Sequence, residues 1–163
     1  MTDASDLRSR ARLMPKGNRY EDMTPGRVFE HHWGRTITSG DNAAFTTQTL
    51  SFCPLYFNEP YAKSLGYAGT LVNPMLVFNT VFGMSVEDLS EGGGPFLGVD
   101  ECVFDRPVYV GDTLTARSTV INARESKGQA GFGIVTWHTE GFNQHQKKVV
   151  TFKRTNLVRR RST

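Results

Sequence analysis

The run from Asn73 to Gly83 (NPMLVFNTVFG) constrains the fold more than any other part of the chain. Asn73 is a good helix cap, and Pro74 suits the first helical position, where its missing N–H costs nothing. Met75, Leu76, Phe78, Val81 and Phe82 then put apolar side chains on most faces of the helix. A helix apolar nearly all round must be buried, so the rest of the chain has to wrap it. The second half supplies the wrapping. After the glycine loop Gly92-Gly93-Gly94-Pro95 the period changes from helical to strand-like, which predicts strands at Phe96 to Phe104, Thr113 to Arg124, Gly131 to Phe142 and Lys147 to Leu157. Helices first and long strands afterwards indicate an α+β domain, an antiparallel sheet wrapped round one central helix.

The first half is more broken. Arg27 to Ile37 predicts a strand pair or one strand bent around Gly34. Thr38-Ser39-Gly40-Asp41 offers a cap with an acid in the first turn, predicting a short helix from Asn42 to Gln48. Ser51 to Asn58 is polar and turn-rich, and Pro60 to Leu65 reads as a helical turn stopped by Gly66 and Gly69. With 163 residues the chain suits one domain. Residues 1–20 read as a polar extension, 21–158 as the domain and 159–163 as a basic tail.

Composition excludes several functions. The net charge of +3 owes much to Lys153, Arg154, Arg159, Arg160 and Arg161, and a run of arginines without a basic aromatic face does not point to nucleic acid. No apolar run approaches the roughly 20 residues of a membrane span, and Met1 to Pro15 lacks the apolar core of a secretion signal, so a cytoplasmic protein is expected. Cys53 and Cys102 are too few and too scattered for a disulfide framework or a zinc site, and no metal or bound cofactor is expected.

Several motifs then come in a telling order: Arg35-Thr36-Ile37-Thr38 leading to Asp41 and Phe45, Pro54-Leu55 followed by Glu59-Pro60-Tyr61-Ala62, Leu71-Val72-Asn73-Pro74-Met75, and Phe104-Asp105-Arg106-Pro107-Val108 with Gly111-Asp112-Thr113-Leu114. In this order and spacing they resemble the MaoC-like hotdog family of (R)-specific enoyl-CoA hydratases and dehydratases, over residues 22–157. The runs Gly83 to Ser90 and Gly98 to Glu101 resemble the branch acting on mesaconyl-, itaconyl- or methylglutaconyl-CoA. The resemblance implies a hotdog fold, a homodimer that closes the open sheet edge, and reversible addition of water to a short, branched or dicarboxylic 2-enoyl-CoA. It also implies that the acyl-CoA lies beside the central helix, against Cys53, Val72, Asn73, Pro74 and Met75.

The family's signature S-G-D-x-N-P-[IL]-H, laid on Pro54-Leu55, puts Ser51 at the catalytic Asp, Cys53 at the Asn and Tyr56 at the His. The dyad is therefore replaced. Hydration needs a base for water, an acid for the α-carbon and donors for the enolate oxygen. Tyr56, with an ordinary pKa near 10, suits an acid better than a base, and Ser51 is no base by itself. Asp41, Glu59, His32, His138 and Glu140 remain as bases. Each has a structural alternative: a helix-start acid at Asp41, and a solvent-facing alternation at His138 and Glu140. His31 and His32 point to opposite faces of their strand, so at most one enters a pocket. Cys53 also reads as a small core filler, and Tyr56 as a core phenol. Pro74 cannot donate the N–H that the family's Gly supplies, but the N–H groups of Met75 and Leu76 at the helix start are candidates for that role. Loss of the dyad also leaves open a non-catalytic hotdog subunit or acyl-CoA binding module of a heteromeric dehydratase, and, more remotely, a hotdog thioesterase.

Overall fold

The computed structural model describes residues 17–161. Five strands form one antiparallel sheet in the order β1-β3-β4-β5-β2: β1 (Val28–Thr36), β2 (Phe96–Phe104), β3 (Thr113–Glu125), β4 (Phe132–Phe142) and β5 (Lys148–Arg159). Four helices accompany it: α1 (Ser39–Gln48), α2 (Glu59–Ser64), α3 (Pro74–Met84) and α4 (Val86–Leu89). The strands expected in the second half are all present, each within two residues of its expected ends. Arg27 to Ile37 forms one strand rather than a pair, its register slipping between His31 and Arg35.

Asn73 caps α3 as expected, its Oδ1 accepting from Met75 N at 3.0 Å, and Pro74 opens the helix. Val77, Val81 and Met84 pack on Leu114 and Ala116 of β3 and on Val149, Val150 and Phe152 of β5, with Ile37, Val72 and Val108 closing the cluster. Gly141 is what lets the helix approach β4, for a Cβ there would lie 2.6 Å from Val81 Cγ2. Enclosure is incomplete, however. Met75, Asn79 and Gly83, one helical turn apart, form an exposed stripe on α3. A second cluster, Met23, Phe29, Leu89, Val120, Val135, Trp137 and Val158, fills the other end of the sheet.

Both ends of the expected domain extend further than the sequence indicates. Asn18 Nδ2 donates to Asp88 O and Arg19 Nη1 to Gly92 O, so the domain begins before residue 21; residues 1–16 of the expected extension lie outside the described region. The basic tail is not free either. Arg159 ends β5, Arg160 Nη1 reaches Glu125 at 2.7 Å, and Arg161 Nη2 holds both carboxylate oxygens of Asp22 at 2.7 and 2.8 Å. No helix among the described residues is long and apolar enough to cross a membrane.

Candidate active site

The segment between α1 and α3 is held in place by one buried side chain. Asn42, on α1, donates from Nδ2 to Tyr56 O at 2.7 Å and to Leu71 O at 2.9 Å, while its Oδ1 accepts from Asn73 N at 2.8 Å. Only one orientation of the amide serves two carbonyls and an N–H at once. A short 3-10 turn, Pro54–Tyr56, is thereby fixed against the start of α3, helped by Leu71 N donating to Leu55 O and Val72 N to Val108 O.

The turn, the start of α3 and the chain after β2 enclose a cleft of about 400 Å³. Val72, Val77 and Val108 are its buried floor, and Phe104, Asp105, Arg106 and Pro107 are its exposed mouth. Tyr56 and Tyr67 complete the wall, and among the described residues neither phenol oxygen has a hydrogen-bond partner. Burial, with Cys53 and Tyr67 adding to it, pushes the Tyr56 phenol above its ordinary value, so it is a neutral donor at pH 7. A cleft of about 570 Å³ runs along the exposed stripe of α3, lined by Trp33, Arg35, Asn79 and Thr80. The first cleft is the candidate site because it contains Tyr56 and touches the first turn of α3.

Of the sequence-predicted residues, Tyr56, Val72 and Pro74 line this cleft, and the others do not. Asp41 lies outside it as the third residue of α1. Its Oδ2 accepts from Thr38 N and Oγ1, its Oδ1 accepts from Arg35 Nη2 at 2.7 Å, and the Thr38 bonds, with Arg35 adding to them, hold its carboxyl below the usual range. Such a carboxylate is a cap and a poor base. Ser51 Oγ accepts from Thr49 Oγ1 at 3.2 Å, and Cys53 is half-buried behind the turn, its carbonyl accepting from Tyr56 N. Asn73 is buried behind its own cap and Met75 is exposed beside the cleft.

The remaining candidate bases are elsewhere as well. Glu59 pairs with Lys63, His32 lies 3.7 Å from Glu87, and His138 and Glu140 alternate with the inward-facing Trp137, Thr139 and Gly141, with Glu140 held by Arg117 at 2.6 Å. His31 is buried, with Nδ1 2.6 Å from Asp88 and Nε2 2.8 Å from Ser118 Oγ, and joins β1, β3 and α4. The expected oxyanion donors are also occupied. Met75 N–H is used by Asn73 Oδ1, and Leu76 N–H donates to Asn73 O at 2.9 Å. With Pro74 lacking an N–H, the first turn of α3 offers this cleft no backbone donor from residues 74–76.

Sequence reasoning missed Asn42, Tyr67, Asp105 and Arg106. Asn42 and Thr46 are four apart and buried on one face of α1, a polar pair where an apolar stripe is the usual signal. Arg106-Pro107 did carry the family resemblance, but no role followed from it.

Residues 2–163 match the family model described as mesaconyl-CoA hydratase. The chain belongs to the mesaconyl-CoA hydratase family. It is 35% identical over 156 residues to the mesaconyl-CoA hydratase of Haloarcula marismortui, covering 95% of this chain and 44% of that protein. The structure of a MaoC domain protein dehydratase from Chloroflexus aurantiacus superposes with a TM-score of 0.85 at 38% identity, over 90% of this chain and 41% of that one. A Mycobacterium tuberculosis protein with a double hotdog fold shares the fold, with a TM-score of 0.74 at 24% identity over 89% of this chain and 45% of that one. The chain thus spans about 44% of the length of such relatives.

Proposed function

We propose that this chain is one hotdog half of a hydratase/dehydratase that adds water reversibly to a short branched or dicarboxylic 2-enoyl-CoA. The observation that carries the reading is the character of the cleft. It is an apolar pocket whose polar lining is two phenols, a guanidinium and one carboxylate at the mouth, Asp105, which lies 3.9 Å from the Lys148 ammonium, with no backbone donor left at the start of α3. That wall suits receiving an acyl thioester more than activating water, which assigns the base and the oxyanion donors to a paired hotdog unit. The pairing surface we infer is β2. It is an edge strand of nine residues, and Phe96, Leu97, Val103 and Phe104 are each 42–53% exposed along it. A long apolar edge of this kind calls for a partner strand. Relatives more than twice as long support that reading. Water addition beside a thioester is acid-base chemistry, so the scheme requires no metal or bound cofactor, and a cytoplasmic setting suits a CoA substrate.

Asp105 favours a second reading. It is a carboxylate in the same cleft as Tyr56, which allows a self-sufficient homodimer with Asp105 as base and Tyr56 as acid. Loss of the enoyl absorbance of mesaconyl-CoA separates the two. The first reading expects no turnover by the purified chain and turnover when a hotdog unit carrying the Asp/His dyad is added. Turnover by the chain alone, abolished in Asp105→Asn, establishes the second. Inactivity of both preparations, with no thioester bound, refutes both.

A further inference from the structure

The mouth of the cleft contains a cation, Arg106, to which the acid-base chemistry of water addition gives no role. Arg106 Nε donates to Lys148 O at 2.6 Å, which pins the side chain, and Pro107 restricts the backbone of Arg106 to extended conformations. Among the described residues its two terminal amino groups have no partner, and no carboxylate lies within ion-pair distance. Asp105, the neighbouring acid, is 3.9 Å from Lys148 Nζ, so its charge is partly offset. Together with the Tyr56 and Tyr67 hydroxyls, which have no partner among the described residues, the cleft therefore presents a guanidinium held at its Nε and two phenol O–H groups above a floor of valines. Three donors lining one apolar slot are suited to an anion attached to a short hydrocarbon, and a planar fork matches a carboxylate in two-point fashion.

We propose that Arg106 binds a free carboxylate on the acyl chain and makes this cleft select carboxylated over uncharged acyl thioesters. The inference rests on the acyl-CoA reading above, and adds to it a residue and a basis for selection. The phosphates of CoA are the other anions available to such a guanidinium, and the two sources separate by experiment. Saturated thioesters that cannot add water, 2-methylsuccinyl-CoA and butyryl-CoA, are titrated calorimetrically into the assembled two-hotdog protein. Hydrogen bonds to a charged group of this kind correspond to about tenfold to hundredfold in affinity. The wild-type protein is expected to prefer 2-methylsuccinyl-CoA by that factor, Arg106→Gln to lose the preference with butyryl-CoA affinity unchanged, and Arg106→Lys to keep part of it. Equal weakening of both thioesters in Arg106→Gln assigns the guanidinium to the CoA phosphates and overturns the proposal, as does a preference that survives the substitution. Failure of both thioesters to bind the wild-type protein overturns the acyl-CoA reading, and the selection inferred from it falls too.

Discussion

Asn42 is the residue on which the candidate site depends mechanically, and Asn42→Asp tests that claim with almost no change of shape. The wild-type amide gives two hydrogens, to Tyr56 O and Leu71 O, and accepts one from Asn73 N. A carboxylate keeps the bond to Asn73 N, loses both donors and points an anion at two carbonyl oxygens. Leaving a buried acceptor unsatisfied costs about 1–3 kcal/mol. Leu71 O lies against the buried Val72 and Asn73, whereas Tyr56 O belongs to a half-buried turn that water reaches more easily. The loss therefore centres on about 3 kcal/mol at neutral pH, which for a chain of this length is a fall of about 6–12 °C in Tm. A buried carboxylate facing carbonyls has its pKa raised. Its protonated form is favoured in the folded state, so the deficit is smallest below the ordinary Asp value of about 3.9 and grows as pH rises. Urea unfolding of both proteins at about pH 4 and about pH 7 measures this directly. Equal midpoints at neutral pH, or a deficit that shrinks as pH rises, would show that Asn42 does not hold the turn to α3.

Four further substitutions probe the fold around the site. Gly141→Ala, on β4, puts a Cβ 2.6 Å from Val81 Cγ2 and 2.9 Å from Val150 Cγ1, and the overpacking costs about 1–3 kcal/mol in a thermal scan; Gly83→Ala, in open space on α3, raises Tm instead. Arg154 is buried over the Phe82 ring and donates to Asn156, Ser85 and Ser90, with no carboxylate partner among the described residues, and burial lowers its pKa to about 10. Its folded pKa lies below the unfolded one, so the wild type is expected to gain stability relative to Arg154→Met, on the order of 1 kcal/mol, as pH rises through about 10, read from urea midpoints. Asp41→Ala leaves the Thr38 cap of α1 but removes the carboxylate half of its capping box, lowering stability modestly above the ordinary Asp range, and that contribution disappears in the wild type as pH falls through the depressed carboxyl value. Its hydration kinetics in the assembled protein are expected to match the wild type, and a large fall in kcat would return Asp41 to the chemistry.

The fold was legible because its determinants are local. Asn73-Pro74 marks the start of α3, and the alternation of Leu114, Ala116, Ser118 and Val120 marks the inner face of β3, without reference to anything distant in sequence. The site was only partly legible because its determinants are not. Tyr56 was found from its place beside Pro54-Leu55, whereas Arg106 reaches the same cleft from fifty residues away, through the return of the chain after β2. Hydrogen-bond occupancy is the other thing a sequence hides. Met75 and Leu76 have N–H groups in any helix start, and only coordinates show that the Asn73 side chain and carbonyl already use both.

That occupancy makes Asn73 and Pro74 act together at the start of α3. Asn73 improves the cap by using the Met75 N–H, and Pro74 fixes φ at the first helical position while removing its own N–H, so each favours the helix and each subtracts a donor from the cleft. Pro74→Gly separates the effects. It restores one N–H at the wall where Pro74 now stands and releases the backbone restraint, costing about 0.4–1 kcal/mol through the unfolded chain. If the cleft receives an acyl thioester, the new donor is expected to tighten binding of butyryl-CoA, since a net hydrogen bond contributes about 0.5–1.5 kcal/mol. It is expected to confer no hydration on the chain alone, because a donor does not activate water. Turnover appearing in Pro74→Gly would mean that a base already faces the thioester, with Asp105 the first to examine, and the assignment of the chemistry to a paired unit would fall.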